Sequence, residues 1–183
     1  AWTPEFVRNR NKSLTNEDLK KFNRLNEKPF IVHKYQDCLE IGANDADQAG
    51  SSGTAFFINK KGYLLTNNHV VEGCTLSKIS YKNKDYDTKL IATDKTLDLA
   101  LLKAELKPKT FINFSNDEAK KLNKVYVAGY PLGKGLSDDL KISSGIVSSI
   151  KGFEDNSNEI QIDAPINPGN SGGPIINENG ELI

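Results

Sequence analysis

The residues best suited to chemistry lie near the end of the chain, at positions 169–174 (GNSGGP). Ser171 is the candidate nucleophile, because the glycines around it allow a tight backbone turn with no Cβ to obstruct a substrate carbonyl. The N–H groups of Gly169 and Ser171 can converge on one point, and two converging donors make an oxyanion hole. A glycine-rich turn between strands would carry the same motif. The interpretation therefore depends on finding the partners that a serine nucleophile needs.

A serine hydroxyl needs a base that is itself oriented by a third group. The chain has two histidines. We interpret His33 as a strand-face residue, whereas His69 follows an apolar run and sits at the end of a predicted strand. Asp98 is a single acid that we predict to lie inside an apolar strand, where its burial is costly unless it has a partner. Alone, His69 would be read as a surface residue and Asp98 as a turn cap. The order His69, Asp98, Ser171 matches the chymotrypsin type and favours a catalytic triad.

Three segments closely resemble the HtrA/Deg family of trypsin-like serine proteases: residues 66–73 (TNNHVVEG), 98–103 (DLALLK) and 166–174 (INPGNSGGP). Supporting matches lie at residues 50–58, 127–133 and 144–148. The resemblance implies a serine endopeptidase that hydrolyses unfolded or misfolded proteins through an acyl-enzyme, in protein quality control. It also implies export, to the bacterial periplasm or an organelle, with no signal segment present in this chain. Family members form trimers through N-terminal contacts that residues 1–30 do not match, so a homo-oligomer stays an open expectation.

The pattern of short strands separated by turn residues predicts an all-β fold. With the resemblance it implies two antiparallel β-barrels of the six-stranded chymotrypsin type. Residues 1–30 are an extension, with a short amphipathic helix predicted over 16–26 or, alternatively, a solvated leader. Residues 31–183 are the protease domain: the first barrel (31–103), a connection (104–123) with a helical stretch at 117–122, and the second barrel (124–183). The predicted strands are 31–35, 38–43, 54–58, 63–66, 76–80, 86–93, 97–103, 124–130, 140–150, 159–163, 174–176 and 181–183.

The last ten residues predict a strand, an Asn-Gly turn and the beginning of a partner strand. Because the chain stops at Ile183, soon after that partner begins, we expect the second barrel to be incomplete. The sequence contains no methionine, which also indicates a piece of a longer product.

Composition excludes several other classes of function. The formal net charge is +0 with acids and bases interspersed, which argues against a nucleic-acid partner. There is no apolar run of about 18 residues, so no membrane span is expected. Metal-ligand spacings are absent and triad chemistry needs no metal or organic cofactor. Cys38 and Cys74 could form a disulfide or remain two buried thiols, and the sequence does not decide between them.

The resemblance places the specificity pocket at the residues shortly before the nucleophile, which are Ala164, Pro165, Ile166, Asn167 and Pro168. None is acidic, so a lysine or arginine of the substrate would be buried there without a partner. We therefore expect a modest apolar side chain, such as Val, Ala, Leu or Ile, on the acyl side of the cut bond. Extended chains bind by strand addition, so unfolded polypeptides are the expected substrates. The alternative is a non-catalytic peptide-binding or chaperone module on the same fold.

Overall fold

The computed structural model describes residues 53–74, 76–82, 84–130 and 140–183, together with the backbone of one strand at Val32–Gln36. The helix predicted at 16–26 and the strand predicted at 38–43 lie outside the described residues. Within the described residues the secondary structure is almost entirely β, which confirms the predicted fold class. None of the described helices is long and apolar enough to cross a bilayer.

Six antiparallel strands form a closed barrel in the order β1-β2-β3-β6-β5-β4. They are β1 (Val32–Gln36), β2 (Thr54–Phe57), β3 (Tyr63–Asn67), β4 (Ser77–Tyr81), β5 (Lys84–Asp94) and β6 (Leu99–Ala104). All six were predicted to within a few residues at each end. The first barrel follows from short strands separated by turn residues, and alternate residues of β3, β4 and β6 are buried.

The interior of the barrel is filled by the inward-facing side chains of its strands. Leu64 on β3 and Leu102 on β6 are paired across the sheet, and both are fully buried. Phe57 on β2 meets Tyr81 on β4 edge-to-face, with ring centroids 5.7 Å apart. These contacts form one continuous apolar cluster, which fixes the register of the strands that lead into the site.

The second half of the described chain forms a four-stranded antiparallel sheet in the order β10-β7-β8-β9. Its strands are β7 (Lys124–Gly129), β8 (Lys141–Ser149), β9 (Gln161–Ile162) and β10 (Ile175–Ile176). A 3₁₀ turn at Phe153–Asp155 lies between β8 and β9. The strand predicted at 181–183 is reduced to single bridges from Leu182, one to Ile176 and one to Phe114.

The helix predicted at 117–122 is wrong, since these residues form bends and a turn. Two polar side chains bind the backbone there, and such local bonds give the backbone an alternative to helical hydrogen bonding. The Ser115 hydroxyl accepts from the Asp117 amide at 3.1 Å, and the Asn123 side-chain oxygen accepts from the Lys120 amide at 2.8 Å. The connection is therefore an irregular segment with extended stretches.

A small apolar cluster joins the barrel to the second sheet. Phe56 of β2, Ile112 of the connection, Tyr126 of β7 and Ile176 of β10 are all buried and packed together. The Ile112 amide also donates to the carbonyl of Phe57 at 2.9 Å. This cluster sets the position of the second sheet relative to the barrel.

The barrel core can be tested with Leu64→Ala. Leu64 is 0% exposed, so the change should lower the free energy of unfolding by about 3 kcal/mol, through lost transfer energy and the cavity left behind. Leu122→Ala is the matched control, because Leu122 is 76% exposed and its loss should cost less than about 0.5 kcal/mol. Urea unfolding followed by circular dichroism measures both. Similar losses for the two variants would contradict the described core.

Candidate active site

His69 lies two residues past the end of β3, in the single helical turn α1 (Asn68–Val71). Val70 and Val71 are buried in the barrel core, and Asn68 is also buried. These neighbours anchor the turn and leave the imidazole facing outward, with a side chain 55% exposed. The prediction that His69 sits at a strand end is therefore correct to within one helical turn.

Asp98 does not lie inside a strand as predicted, but in the turn before β6. Its φ is +52°, a left-handed conformation that a non-glycine residue adopts at a cost. Four hydrogen bonds offset that cost. The His69 ring and amide approach the two carboxylate oxygens at 2.6 and 2.9 Å, and the Asn68 amide and Asn67 side chain donate to its carbonyl at 3.0 and 2.8 Å.

The carboxylate of Asp98 determines which ring nitrogen of His69 is basic. An ionised carboxylate only accepts hydrogen bonds, so Nδ1 of His69 carries the proton that faces it. Nε2 is then the unprotonated nitrogen and is the one able to receive a proton. The pair is not sequestered from water, since the Asp98 side chain is 43% exposed. The expected burial of this acid was therefore an overestimate.

An ion pair at the surface also joins the turn before β6 to the end of α1. Lys95, in the turn that leads to Asp98, binds Glu72 at the end of α1 at 2.6 Å. The hydrogen bond and charge of Glu72 raise the pKa of Lys95. Both side chains are largely exposed, so the pair adds little to stability.

Cys74 lies three residues after the end of α1. Its amide donates to the Val71 carbonyl at 3.1 Å, and its side chain packs against the barrel core. Cys74 is disulfide-bonded in the structure, whereas Cys38 lies outside the described residues.

Ser171 lies in a compact turn between β9 and β10. The Asn170 amide donates to the Asn167 carbonyl at 3.0 Å, and the Gly173 amide donates to the Asn170 carbonyl at 2.8 Å. Gly169 has φ +96°, which a residue with a side chain would adopt only with strain. Among the described residues, the amides of Gly169 and Ser171 have no hydrogen-bond acceptor, unlike those of their neighbours.

Thr54, the first residue of β2, holds this turn against the barrel. Its amide donates to the Ser171 carbonyl at 2.7 Å, and its hydroxyl donates to the Gly169 carbonyl at 2.8 Å. The same hydroxyl accepts from the Tyr130 amide at 3.0 Å. Thr54 is 0% exposed, so these bonds are made away from water. The turn is thus fixed to the barrel at two carbonyls, one on each side of Asn170.

Gly172 makes the closest approach between the turn and the barrel. Its amide donates to the side-chain oxygen of Asn67 at 2.6 Å. A Cβ at this position would lie 2.2 Å from both the Thr54 carbonyl oxygen and the Thr66 hydroxyl, and the φ of +80° also requires glycine. No other residue would allow the turn to dock in this way.

The structure brings His69 and Asp98 into direct contact, and it places the backbone of Ser171 near Val70, the residue that follows His69. A Cβ on Gly53 would lie 2.8 Å from Val70, next to His69, and 3.0 Å from the Ser171 carbonyl oxygen. Within the described part of the chain, no hydrogen bond joins the imidazole to the Ser171 hydroxyl. Such contacts are often loose in unliganded sites and tighten when substrate binds.

The five residues predicted to form the specificity pocket run along the approach to this turn. Ala164 is buried in the core of the second sheet and Ile166 packs against that core, while Pro165, Asn167 and Pro168 are exposed. The Ser143 hydroxyl donates to the Pro165 carbonyl at 2.6 Å and fixes the segment to β8.

The sequence interpretation assigned no role to Thr54, Thr66 or Asn67. The sequence gives only a weak indication of such a role, because each is simply a polar residue at or next to the end of a strand that is otherwise apolar. Their partners lie far away in sequence, and the Thr54–Gly169 and Asn67–Gly172 pairs are separated by 115 and 105 positions.

A sequence profile of the trypsin-like peptidase domain matches residues 53–183. The chain belongs to this family. It is 39% identical over 140 residues to a probable periplasmic serine endoprotease DegP-like of Rhizobium meliloti, covering 73% of this chain and 27% of that protein. It is 37% identical over 153 residues to the serine protease Do-like HtrA of Bacillus subtilis, covering 77% of this chain and 34% of that one.

Solved structures give the same assignment for this trypsin-like domain. The HtrA-type protease AlgW with tripeptide matches with a TM-score of 0.72 and 29% identity, over 89% of this chain and 52% of that chain. The serine endoprotease from Yersinia pestis matches with a TM-score of 0.67 and 29% identity, over 82% and 51%. The resemblance to HtrA proteases is confirmed. The chain spans about a quarter to a third of these curated relatives and about half of the solved chains.

The role of Thr54 can be tested with Thr54→Val, which keeps the shape and removes the hydroxyl. The Gly169 carbonyl and Tyr130 amide would lose their partner, so the free energy of unfolding should fall by about 2 kcal/mol. Thr88→Val is the matched control. Thr88 is only half-buried, and its hydroxyl donates to the Ser77 carbonyl at 3.0 Å, so the loss of this hydroxyl should cost no more than about 1 kcal/mol. A smaller loss for Thr54→Val than for Thr88→Val would argue against the docking described here.

Proposed function

We propose that this protein is a serine endopeptidase in which Ser171 is the nucleophile, His69 the general base and Asp98 the residue that orients it. The observation that carries the proposal is the pairing of His69 with Asp98 beside a turn whose carbonyls are bound by the barrel. Membership of the trypsin-like peptidase family and similarity to proteins named as serine endoproteases support it.

In the proposed reaction, Nε2 of His69 takes the proton from the Ser171 hydroxyl as its oxygen attacks the substrate carbonyl carbon. Asp98 holds the imidazole tautomer and stabilises the imidazolium that forms. The amides of Gly169 and Ser171 stabilise the oxyanion, each contributing about 3 kcal/mol to the transition state. His69 then returns the proton to the leaving amine, and water hydrolyses the acyl-enzyme by the same sequence of transfers.

The proposed substrates are unfolded or misfolded polypeptides that bind in extended form. The apolar and uncharged residues at 164–168 would accept a modest apolar side chain on the acyl side of the cut bond. Relatives named as periplasmic endoproteases support export of this protein. The HtrA resemblance adds a proposed role in protein quality control. A homo-oligomer stays a prediction from the HtrA resemblance.

Ser171→Ala should abolish proteolysis while leaving the fold intact, because it removes one oxygen atom from a half-buried residue. Cleavage of an unfolded substrate such as reduced casein, and covalent labelling by a fluorophosphonate, measure the effect. Labelling of the unchanged protein also discriminates an enzyme from the non-catalytic peptide-binding alternative. Full activity in Ser171→Ala would mean that the nucleophile lies elsewhere.

The specificity proposal predicts which bonds are cut. A library of peptides that differ at one position should be cleaved after Val, Ala, Leu or Ile at least about tenfold faster than after Lys or Arg, because a buried cation would have no partner. Mass spectrometry of the products gives the cut sites. A preference for Lys or Arg would exclude the assigned pocket.

A further inference from the structure

The Asn67 side chain connects the turn that holds the candidate acid with the turn that holds the candidate nucleophile. Its amide nitrogen donates to the Asp98 carbonyl at 2.8 Å, and its amide oxygen accepts from the Gly172 amide at 2.6 Å. Asn67 is the last residue of β3 and lies two positions before His69. The half-buried side-chain amide of Asn67 therefore contacts both the turn that contains Asp98 and the turn that contains Ser171.

Each bond acts on a position where the backbone has little freedom. Asp98 has φ +52°, and the Asn67 side chain and the Asn68 amide both bind its carbonyl and stabilise that conformation. Gly172 lies so close to the barrel that a Cβ would come within 2.2 Å of the Thr54 carbonyl oxygen, and it follows directly after Ser171. Moving either group by a fraction of an ångström would change the direction of the Asp98 carboxylate or of the Ser171 hydroxyl.

We infer that Asn67 is a positioning residue for the proposed reaction: through its two hydrogen bonds it sets the Asp98 carboxylate and the Ser171 turn in register with His69. This inference rests on the proposed function. Asn67 contacts neither the Ser171 hydroxyl nor the imidazole in the described geometry, and it acts only through the groups that it binds.

An amide is well suited to this role because the two contacts need opposite chemistry. One partner is a carbonyl and requires a donor, while the other is an N–H and requires an acceptor. Aspartate keeps the shape and the acceptor but loses the donor. Leucine keeps the approximate volume and loses both. The two substitutions therefore separate the contribution of Asp98 from that of Gly172.

The test uses the full-length protein with Asn67→Leu, Asn67→Asp and, as control, Glu72→Gln. The control breaks the Glu72–Lys95 ion pair, which joins the same two segments at the surface, and should leave activity unchanged. The measurements are kcat and KM for an unfolded substrate, the rate of fluorophosphonate labelling of Ser171, and the midpoint of thermal unfolding.

We expect Asn67→Leu to lower kcat and the labelling rate by about tenfold to a hundredfold, since small displacements in such sites are costly. KM should change by less than about threefold, because Asn67 does not contact the residues proposed to bind substrate. Asn67→Asp should lower kcat and the labelling rate by a smaller factor than Asn67→Leu, because it keeps the bond to Gly172. If Asn67→Leu does not fold, the isosteric Asn67→Asp decides the question: a wild-type labelling rate in that variant would overturn the inference.

A double-mutant cycle separates positioning from general destabilisation. In an Asp98→Asn background the carboxylate that Asn67 helps to aim is gone, so Asn67→Leu should reduce labelling by a clearly smaller factor than in the unchanged protein. Equal factors in the two backgrounds would overturn the coupling to Asp98. Loss of labelling in Ser171→Ala together with wild-type rates in both Asn67 variants would refute this inference and leave the proposed function standing.

Discussion

The whole site depends on the contact between one buried residue, Thr54, and the turn that carries Ser171. All the polar groups of Thr54 are used there: its amide binds the Ser171 carbonyl, its hydroxyl joins Gly169 to Tyr130, and its carbonyl accepts from the Thr66 hydroxyl at 2.7 Å. A buried polar group without a partner costs about 1–3 kcal/mol. The turn can therefore leave its position only by breaking several such bonds together, and this restricts where the Ser171 side chain can be.

The packing around β2 explains why that contact is rigid. Its four residues are all buried, which is unusual for a barrel strand that could face water on one side. Ala55 and Phe57 point into the barrel core, whereas Thr54 and Phe56 point to the second sheet. Because side chains alternate along a strand, the apolar Phe56 and the polar Thr54 lie on the same face of β2. Phe56 fixes the distance between the sheets, and Thr54 fixes the position of the turn.

The sequence was sufficient for the parts of the fold that depend on local pattern. The short strands separated by turn residues predicted the barrel, and the motifs around His69, Asp98 and Ser171 predicted the family. The secondary structure predicted from the sequence was wrong where side chains bind the backbone locally and where a residue has a positive φ. The apolar residues on both sides of Asp98 predict a continuous strand, because periodicity does not report a positive φ. Thr54 and Asn67 each bind a partner more than a hundred positions away, Asn67 also binds Asp98, and no local pattern contains these pairs.

The pairing of His69 with Asp98 is half-exposed, and this changes what the pair can contribute. A half-exposed hydrogen bond between a carboxylate and a neutral imidazole competes with bonds to water, so this one adds little to the stability of the fold. Its two-point geometry matters more, because the carboxylate is held by both the ring and the amide of His69 and has one orientation. The contacts among the proposed catalytic side chains are therefore not enough to fix their positions. Their geometry comes from neighbours that touch no substrate, namely the buried residues of α1, the amide of Asn67 and the hydroxyl of Thr54.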